Sequence, residues 1–365
     1  MVLRNLWRRK VRTSLTVAGI AIGIAVVVAL LVVAEGLAGQ INDMMSGSGA
    51  EITVMQAEVA DMQFSILDED VGSELDQIPQ VQWVSGLLLQ IAPVEKKQFF
   101  ILIGLDLGTD AFQHFRIVEG EAPKPAGEII LGRMAADFFD KGPGDSLTIH
   151  GQTLHVSGIY ETGVGFEDGG GLIPLPMAQE LFKRKGQVSF YHVKVLPEYL
   201  DELDNVTETI RDRIPLIQAY RSSVFGENTP DIQVFQSLAG IVSLIGLTAG
   251  ALGTMNTMLM SVFERTREIG TLRALGWRKG RVLRMVLSEA LLLCLFGGLV
   301  GIGLGAGLVS LINLSPQYAG LIAVRLNPEA LAVGLIVALL LGLFGGLYPA
   351  WRAMQLQPLE ALRYE

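Results

Sequence analysis

The residues from Asn256 to Arg284 read NTMLMSVFERTREIGTLRALGWRKGRVLR, and they separate two long apolar segments of the chain. One apolar segment leads in from Val234, and the other leads out from Met285 to Asn313. Each is long enough to cross a bilayer as a helix, which takes about 20 apolar residues. The stretch between them is basic, with Arg265, Arg267, Arg273, Arg278, Lys279, Arg281 and Arg284. Because short loops rich in Lys and Arg stay in the cytoplasm, we expect this loop to be cytoplasmic.

Apolar residues recur at helical spacing within the basic loop, at Ile269, Leu272 and Leu275. Charged residues lie between them, and this pattern predicts a short amphipathic helix across the cytoplasmic ends of two membrane helices. A simpler interpretation is a basic loop that contacts anionic lipid. Lipid attraction needs only positive charge, however, and it explains neither the apolar spacing nor the two glutamates, Glu264 and Glu268.

Acidic and basic residues are unevenly distributed along the chain. Of the 365 residues, 50% are hydrophobic and 18% are charged, which is typical of an integral membrane protein. The block from Glu35 to Asp231 holds 31 of the 37 acidic residues but only 13 of the 28 basic ones, counted from the sequence. An acidic surface does not suit phosphate binding, so nucleic acid is not an expected partner. The single cysteine, Cys294, excludes an intrachain disulfide.

The apolar segments predict an integral membrane α-helical fold with four transmembrane helices. A large extracytoplasmic α+β domain is expected between the first and second helices. Residues 13–34 carry no charge and exceed the apolar core of about 7–15 residues in a signal peptide, so the first helix is expected to be uncleaved. The expected segments are the cytoplasmic basic N-terminus 1–13, the first transmembrane helix with its stalk 14–46, the extracytoplasmic domain 47–231, the second transmembrane helix with its stalk 232–263, the coupling helix and basic loop 264–284, the third transmembrane helix 285–312, the external loop 313–327, the fourth transmembrane helix 328–350 and the cytoplasmic tail 351–365.

Glycines at four-residue steps mark the apolar segments, and such steps allow close helix contact in lipid. Glycine is also simply common in membrane helices, which is the alternative interpretation. The glycines expected to pack helices are Gly19, Gly23, Gly246, Gly250, Gly297, Gly301, Gly305, Gly342 and Gly346.

Two polar residues fall inside or near the ends of these segments. Asn256 is expected either to form a hydrogen bond across helices or to sit at the membrane interface. Glu289 lies about one turn inside the third segment, where an ionisable group is a functional candidate. Because it stands alone there, we favour a carboxylate that pairs with an arginine of the basic loop.

From Ala50 to about Pro230 the pattern becomes that of a soluble α+β domain. Short apolar or alternating runs predict strands, and the longer stretches between them predict helices. The expected strands are 51–54, 99–105, 128–132, 146–149, 153–159 and 190–196. The expected helices are 68–78, a helix through Phe138, 177–185 and 200–214.

The histidines of this domain do not predict a metal site. His150 and His155 straddle the expected hairpin, whereas His114 and His192 are isolated in the sequence. Metal binding needs converging ligands with supporting hydrogen bonds, and the spacing predicts neither. We therefore expect no metal and no catalytic residues in this chain.

The glycine-rich run 163–171 contains Glu167 and Asp168, but it lacks the alternating ligands of an EF-hand calcium loop. We expect a mobile loop there. The three glycines at its end are not followed by Gly-Lys-Ser/Thr, so they do not predict a phosphate loop, and that motif occurs nowhere in the sequence. The chain is therefore not expected to be an enzyme that hydrolyses ATP by itself.

Several motifs resemble those of the MacB/FtsX-type ABC permeases. The residues ERTREIG followed by LRALG, at 264–276, resemble the coupling segment of that family. The order of elements in the acidic block is similar to that of the MacB-like extracytoplasmic domain. Further resemblances lie in LRNLWRRKVRTSLT at 3–16, GEIILG at 127–132, GDSLTI at 144–149, VSGIY at 156–160 and PLEALRYE at 358–365.

The resemblance implies that the coupling segment docks on a cytoplasmic ABC ATPase. The residues implied in docking are Glu264, Arg265, Arg267, Glu268, Ile269, Leu272, Arg273, Leu275 and Gly276. ATP and Mg would be bound by that partner, and this chain would bind no cofactor. The resemblance also implies a second permease subunit, identical or paralogous. The basic N-terminus, the basic loop and the four spans predict a protein of the inner or cytoplasmic cell membrane, with both termini in the cytoplasm and residues 36–231 outside.

The implied function is that of a permease subunit that couples ATP hydrolysis on another polypeptide to movement of extracytoplasmic domains. The expected result is export or extraction of an amphiphilic substrate, such as a lipid, lipoprotein, peptide or drug. The alternative is an FtsX-like regulator that activates an extracytoplasmic hydrolase or sensor without transport. An adaptor, a lipoprotein or a hydrolase is accordingly the expected external partner. A membrane-anchored extracytoplasmic enzyme is poorly supported, because no convergent catalytic set is visible.

Overall fold

The structure, a computed structural model, describes residues 10–59, 62–95, 97–124, 127–313 and 328–357. These residues form two units. One is helical and is built from the chain before Val33, from Gln236–Leu311 and from the last long helix, and the other is built from Ala34–Phe235. The basic residues before Lys10, most of the expected external loop and the PLEALRYE tail lie outside the described residues.

Long helices lie at both ends of the described chain, and short helices alternate with strands between them. The α-helices are α1 (Lys10–Gly47), α2 (Glu69–Asp76), α3 (Arg133–Phe139), α4 (Gly165–Asp168), α5 (Leu175–Leu181), α6 (Leu203–Arg213), α7 (Phe225–Asn228), α8 (Pro230–Glu264), α9 (Thr266–Ala274), α10 (Lys279–Asn313) and α11 (Pro328–Gln355). The strands are β1 (Ile52–Gln56), β2 (Leu67–Asp68), β3 (Val81–Val94), β4 (Lys97–Leu105), β5 (Arg116–Gly120), β6 (Glu128–Gly132), β7 (Ser146–Ile149), β8 (Gln152–Glu161), β9 (Gly171–Pro174), β10 (Gln187–Val188), β11 (Phe190–Val195) and β12 (Ile217–Arg221). Short 3-10 turns occupy Met62–Phe64, Asp110–His114, Pro197–Glu202 and Ser222–Val224.

Helices α1, α8, α10 and α11 are long and apolar enough to cross a membrane, as the sequence predicted. Two of these helices extend beyond the segments expected from the sequence. Helix α10 begins at Lys279, so the basic residues 279–284 lie on its first turns and not in a loop. Helix α11 continues through Pro349 to Gln355, although the sequence placed its end at 350. Proline removes one helical hydrogen bond, and the buried residues Ala350 and Ala353 pack against α8 and α10 and hold the helix in register.

Glycines of α10 bring it close to α1. A Cβ atom added at Gly297 would lie 2.8 Å from Ile20. At Gly301 it would lie 2.6 Å from the Ala21 carbonyl oxygen, and at Gly305 it would lie 2.7 Å from the Ala25 carbonyl oxygen. Real Cβ atoms do not approach backbone so closely, and therefore the α1–α10 contact requires glycine at these steps.

The other glycines differ in how closely they approach a neighbouring helix. Gly342 and Gly346 face Leu291 and Ala290 of α10, and Gly250 faces Leu341 of α11, at would-be Cβ distances of 3.0, 2.5 and 3.0 Å. Gly23 approaches the carbonyl oxygen of Gly246 at 3.9 Å, which is ordinary contact. A Cβ atom at Gly19 or at Gly246 would meet nothing within 4 Å, so the tight packing expected at these two residues is not made within the described chain.

The second unit is built on one mixed sheet with the strand order β12-β1-β11-β3-β4-β9-β6-β8-β5, and β7 pairs with β8. The pairs β4–β9 and β6–β8 are parallel, and the others in this sheet are antiparallel. Strands β2 and β10 form a small separate pair. Consecutive residues of β3 and β4 point to opposite faces, and residues on both faces are buried.

Each face of the sheet has its own helices. On one face Leu87, Leu89, Ile101 and Ile103 pack with the C-terminal part of α1 and with Phe225 of α7. On the other face one group of strand residues packs with α3 and α5, and another packs with α2 and α6. The end of α1 is therefore part of the hydrophobic core of this unit.

The expected strands and helices of this unit were found, with shifted ends, but other elements were missed. The strands that had not been predicted are β2, β3, β5, β9, β10 and β12. The expectation of a mobile loop at 163–171 was wrong, because this segment contains α4 and Glu167 is only 2% exposed. The side chain of Asp168 fixes the backbone at the start of this segment, because its carboxylate accepts hydrogen bonds from the amides of Thr162 and Gly163 at 2.8 and 3.1 Å.

We predict that Gly301→Val destabilises the helical unit, because the new side chain collides with the backbone of α1. The expected cost is about 1–3 kcal/mol or more, as for other overpacked sites. Thermal unfolding of the purified protein in detergent, followed by size-exclusion chromatography, measures it. Gly303→Val is the matched control, since nothing lies within 4 Å of a Cβ atom at Gly303 of the same helix. Equal unfolding temperatures for the two variants would contradict the tight contact.

Candidate functional site

The first candidate site is α9 with the residues that flank it. Helix α8 ends at Glu264, and Arg265 forms the corner before α9 begins. The Thr266 hydroxyl stabilises this corner by donating hydrogen bonds to the carbonyl oxygens of Val262 and Phe263, at 3.2 and 2.7 Å. Glu264, which the sequence assigned to the coupling segment, is thus the last residue of α8 and is exposed.

The C-terminal end of α9 is closed by Gly276. Its φ angle of +91° lies in the left-handed region, which side chains other than glycine rarely adopt. The Trp277 amide donates to the Leu272 carbonyl and the Gly276 amide to the Arg273 carbonyl, each at 3.1 Å. This pair of bonds is the Schellman motif, which satisfies the last carbonyls of a helix.

Apolar residues of α9 differ in their environment. Ile269 is 2% exposed and packs among Met258 and Val262 of α8 and Val282 and Val286 of α10. Leu272 is half-buried, whereas Leu275 is 76% exposed. Leu275 is exposed because the helix ends at Ala274 and the helical period ends with it. Ile269, which the resemblance also implied in docking, is buried instead.

Arg265 links α9 to α10 by ion pairs. Its Nη1 atom donates to Glu289 Oε2 at 3.0 Å, and its Nε atom donates to Glu268 Oε2 at 3.2 Å. The side chain of Glu289 is 8% exposed and that of Arg265 is 20% exposed, whereas Glu268 is 66% exposed. Exposed pairs contribute little, but a buried charge without its partner is costly, so the Arg265–Glu289 pair dominates. Glu289 thus has the arginine partner that the sequence favoured.

The other charged residues divide into a structural one and an exposed set. Arg273 is half-buried and donates to the Trp277 carbonyl oxygen at 3.0 Å, which fixes the end of α9. Arg281 lies over the Trp277 ring at 5.3 Å. Some residues that the resemblance implied in docking are exposed, and together with the exposed Arg278 and Lys279 we call them the docking face; they are Glu264, Arg267, Glu268, Leu275 and Gly276.

Asn256 is exposed on α8, and no hydrogen bond of its side chain is found among the described residues. The polar contact between membrane helices lies one residue further on. The hydroxyl groups of Thr16 on α1 and Thr257 on α8 are 3.1 Å apart. Sequence reasoning missed this pair, since threonine is not conspicuous in an apolar segment.

The second candidate site is the attachment of the end of α1 to the sheet unit. Gln40 Oε1 accepts a hydrogen bond from the Gly165 amide at 3.0 Å, and Asn42 Oδ1 accepts one from the Gly226 amide at 2.6 Å. A Cβ atom at Gly226 would lie 2.4 Å from the Ala38 carbonyl oxygen. The last three turns of α1 are therefore fixed by polar side chains as well as by the core.

Two histidines that are isolated in the sequence meet at this attachment. His114 Nε2 lies 2.6 Å from Glu167 Oε2. Burial lowers the pKa of His114, but the hydrogen bond with Glu167 and the charges of Glu167 and Asp168 together raise that pKa above its ordinary value. Burial raises the pKa of Glu167, and His114 opposes that effect. His192 Nδ1 lies 2.9 Å from Ser48 Oγ, and burial lowers the pKa of His192 to about 4.

The other two histidines do not converge. His155 Nδ1 lies 3.0 Å from Ser146 Oγ, while the His150 ring packs edge-on against Phe182. In the part of the chain that the structure describes, no group of three or more His, Cys, Asp and Glu side chains has the geometry of a metal site.

Two family models match the chain in consecutive regions. The MacB-like periplasmic core domain matches residues 13–212, and the FtsX-like permease C-terminal domain matches residues 240–358. The first match covers more than half of the chain and includes nearly all of α1 and every strand of the sheet except β12. The second includes most of α8, then α9, α10 and α11.

Curated relatives align over nearly the whole chain. An uncharacterized ABC transporter permease YknZ of Bacillus subtilis is 28% identical and covers 100% of this chain and 98% of its own length. The macrolide export ATP-binding/permease protein MacB of Bdellovibrio bacteriovorus is 29% identical, with 99% of this chain and 61% of that protein covered. The pyoverdine export ATP-binding/permease protein PvdT of Pseudomonas entomophila is 30% identical, with 99% and 59% covered.

The chain thus spans about three fifths of the two ATP-binding/permease relatives and nearly all of the permease YknZ. Its architecture of four candidate membrane helices, with the sheet unit between the first and second, agrees with both family models. The chain is a multi-pass membrane protein that belongs to the MacB/FtsX-like family of ABC transporter permeases.

Proposed function

We propose that this permease receives a push on α9 from a cytoplasmic ABC ATPase and converts it into movement of the sheet unit. ATP and Mg are bound by the ATPase partner, and this chain binds no cofactor. A second permease subunit completes the assembly. Both chain termini and α9 lie in the cytoplasm, and residues 36–231 lie outside the cell membrane.

The observation that carries this proposal is the two-sided environment of α9. Its docking face is exposed and charged, whereas Ile269 on the opposite side is buried between α8 and α10. Arg265 adds a buried ion pair to α10 at the corner where α9 begins. A force applied to the docking face would therefore reach two membrane helices at once.

Helix continuity supports the second half of the proposal. Helices α1 and α8 are each continuous, from Lys10 to Gly47 and from Pro230 to Glu264. A helix moves as a stiff element unless proline, a π-bulge or another defect interrupts it. Movement of these two helices would thus be delivered directly to the sheet unit.

We propose export or extraction of an amphiphilic substrate as the result of this movement. Within residues 14–34, 232–263, 285–313 and 331–351 the only charged residue is Glu289, and it is paired. A polar path through the helices has no charged lining, so the substrate would enter from lipid or from the outer side. Two of the relatives are named for export of a macrolide and of pyoverdine, which agrees with this class.

The same absence of charge within these four segments suits a second function. A permease without a substrate path can act as an FtsX-like regulator whose sheet unit pulls on an external hydrolase or sensor.

Cross-linking in native membranes with a photoreactive group at Arg267, followed by purification in mild detergent, distinguishes export from regulation. An ATPase with an adaptor or lipoprotein supports export, and an ATPase with a hydrolase supports regulation. Recovery of the folded chain without any ATPase would overturn the coupling function.

We predict that Glu268→Lys uncouples the ATPase while the permease stays folded. The change reverses the charge at the centre of the docking face, and an unfavourable charge at a protein interface costs about 2 kcal/mol or more, so ATPase stimulation should fall by about tenfold or more. The assay is ATP hydrolysis by the recovered ATPase with purified wild-type or variant permease in nanodiscs. Glu208→Lys is the control, because Glu208 is exposed on α6 of the other unit. Stimulation at the wild-type level by Glu268→Lys would count strongly against the docking face.

A charge swap tests the link between α9 and α10. Arg265→Glu places two carboxylates opposite each other, and Glu289→Arg places two guanidinium groups together, so each single variant should lose thermal stability by about 1–3 kcal/mol. The double variant restores opposite charges and should recover part of both stability and ATPase stimulation. Thermal unfolding and ATP hydrolysis are measured on the same preparations. A double variant no better than the worse single variant would show that the pair does not connect the two helices.

A further inference from the structure

The last residue of α1 rests on the ring of His114. A Cβ atom at Gly47 would lie 2.4 Å from His114 Cε1 and 2.5 Å from Nε2. Only glycine allows the helix end and the ring to approach this closely. His114 is also part of the 3-10 turn that leads to β5, so a shift of its ring would act directly on the end of α1.

Glu167 connects the other side of the His114 ring to α1. It lies on α4, whose first amide, from Gly165, donates to Gln40 of α1. The Tyr160 hydroxyl donates to the Glu167 carbonyl oxygen at 2.7 Å, which fixes α4 against the sheet. The pair is therefore connected to α1 at two points about two turns apart. His114 contacts Gly47 directly, and Glu167 is connected to Gln40 through Gly165 of α4.

A second buried histidine, His192, forms a hydrogen bond with Ser48, the residue that follows the end of α1. His192 of β11 is 3% exposed and bonds to Ser48, and no partner of its Nε2 atom is found among the described residues. A buried imidazole in this position accepts a charge only at high cost. The surroundings of the end of α1 thus tolerate the His114–Glu167 pair but not an additional positive charge.

We propose that His114 and Glu167 form a proton-controlled latch that holds the C-terminal end of α1 to the sheet unit. The latch is closed while His114 carries a proton and pairs with the Glu167 carboxylate, and loss of that proton opens it. A rise in the pH of the solution around the sheet unit would therefore release the last turns of α1. This inference goes beyond the proposed coupling, since it concerns regulation from the side of the sheet unit.

The charged groups around the pair come from several elements. Glu167 and Asp168 lie on α4, His192 lies on β11, and Asp43 is the only titratable residue of α1 between Gln40 and Gly47. Other charged residues line the cavities of about 570 and 480 Å³ on either side of His114, and they are Arg116, Arg133, Glu161, Asp110 and Lys194. Arg116, Arg133 and Lys194 have carboxylate partners in Glu161, Glu119 and Glu51.

The direction of the effect follows from the two pKa shifts. Pairing with Glu167 raises the pKa of His114, so the latch loses its stabilisation when the pH rises through that pKa. Burial raises the pKa of Glu167 and outweighs the opposing effect of His114, so a fall in pH through that pKa does not withdraw stability from the folded unit.

Hydrogen–deuterium exchange of the full-length chain in nanodiscs tests the latch without any ATPase. The readout is the protection of peptides covering Gln40–Gly49, corrected for the intrinsic pH dependence of exchange. As the pH rises from about 6 to about 8.5 we expect this protection to fall by about tenfold, which corresponds to one pKa unit of linkage. Peptides of β6 and β8 should keep their protection, which separates release of α1 from unfolding of the unit.

Near-isosteric variants decide which groups carry the effect. His114→Gln and Glu167→Gln each remove one titrating group and keep a hydrogen-bonding side chain, so each should abolish most of the pH response. His155→Gln is the matched control at an exposed histidine of the same unit, and His192→Gln should leave the response in place. The latch is refuted if wild-type protection is equal at both pH values. It is also refuted if the response persists in both pair variants or disappears in His192→Gln alone.

Discussion

The close contact between α10 and α1 is the constraint on which the helical unit depends. Apolar side chains in lipid gain little by associating, so helices there are held by close packing and by polar contacts. Gly297, Gly301 and Gly305 remove the side chains that would keep the two backbones apart. Gly342 and Gly346 do the same between α11 and α10, and α10 is therefore the helix that the others share.

Because α10 has this central position, its first turns are a suitable place to receive the push that we propose. Val282 and Val286 contact Ile269 of α9, and Glu289 binds Arg265 one turn further on. The corner between α8 and α9 is thus held against α10 both by an apolar contact and by an ion pair. The attachment of α1 in the sheet unit follows a similar rule, since an apolar core is combined there with a few buried polar groups. In both places the polar groups fix the orientation of the helix, whereas the apolar contacts supply most of the stability.

The sequence was sufficient for the parts of the fold that depend on local pattern. The four apolar helices, the amphipathic α9 and the hairpin of β7 and β8 all follow from periodicity within a short window. The buried position of Ile269 was not foreseen, because it depends on contacts with α8 and α10 that lie outside α9. The contact of His114 with Glu167 could not be predicted from the sequence, because 53 residues separate them and only the sheet brings them together. Strand β3 escaped prediction for a similar reason, since both of its neighbours, β11 and β4, must be in place to bury it.

The pairing of β1 with β12 and the bond from Asn42 to Gly226 have a consequence for biogenesis. Asn42 and Gly226 are 184 residues apart, and Thr53 bonds to Ser222 across 169 residues. Contacts of such large sequence separation form slowly, because the intervening chain must first be ordered. A ribosome adds about 5–20 residues per second, so α1 has been synthesised for about ten seconds or more before its partners on β12 and α7 exist. During that interval the apolar end of α1 and one edge of β1 are uncovered. The nascent chain is then most exposed to mispairing, and a membrane chaperone or a fast insertion of α8 would be of most use.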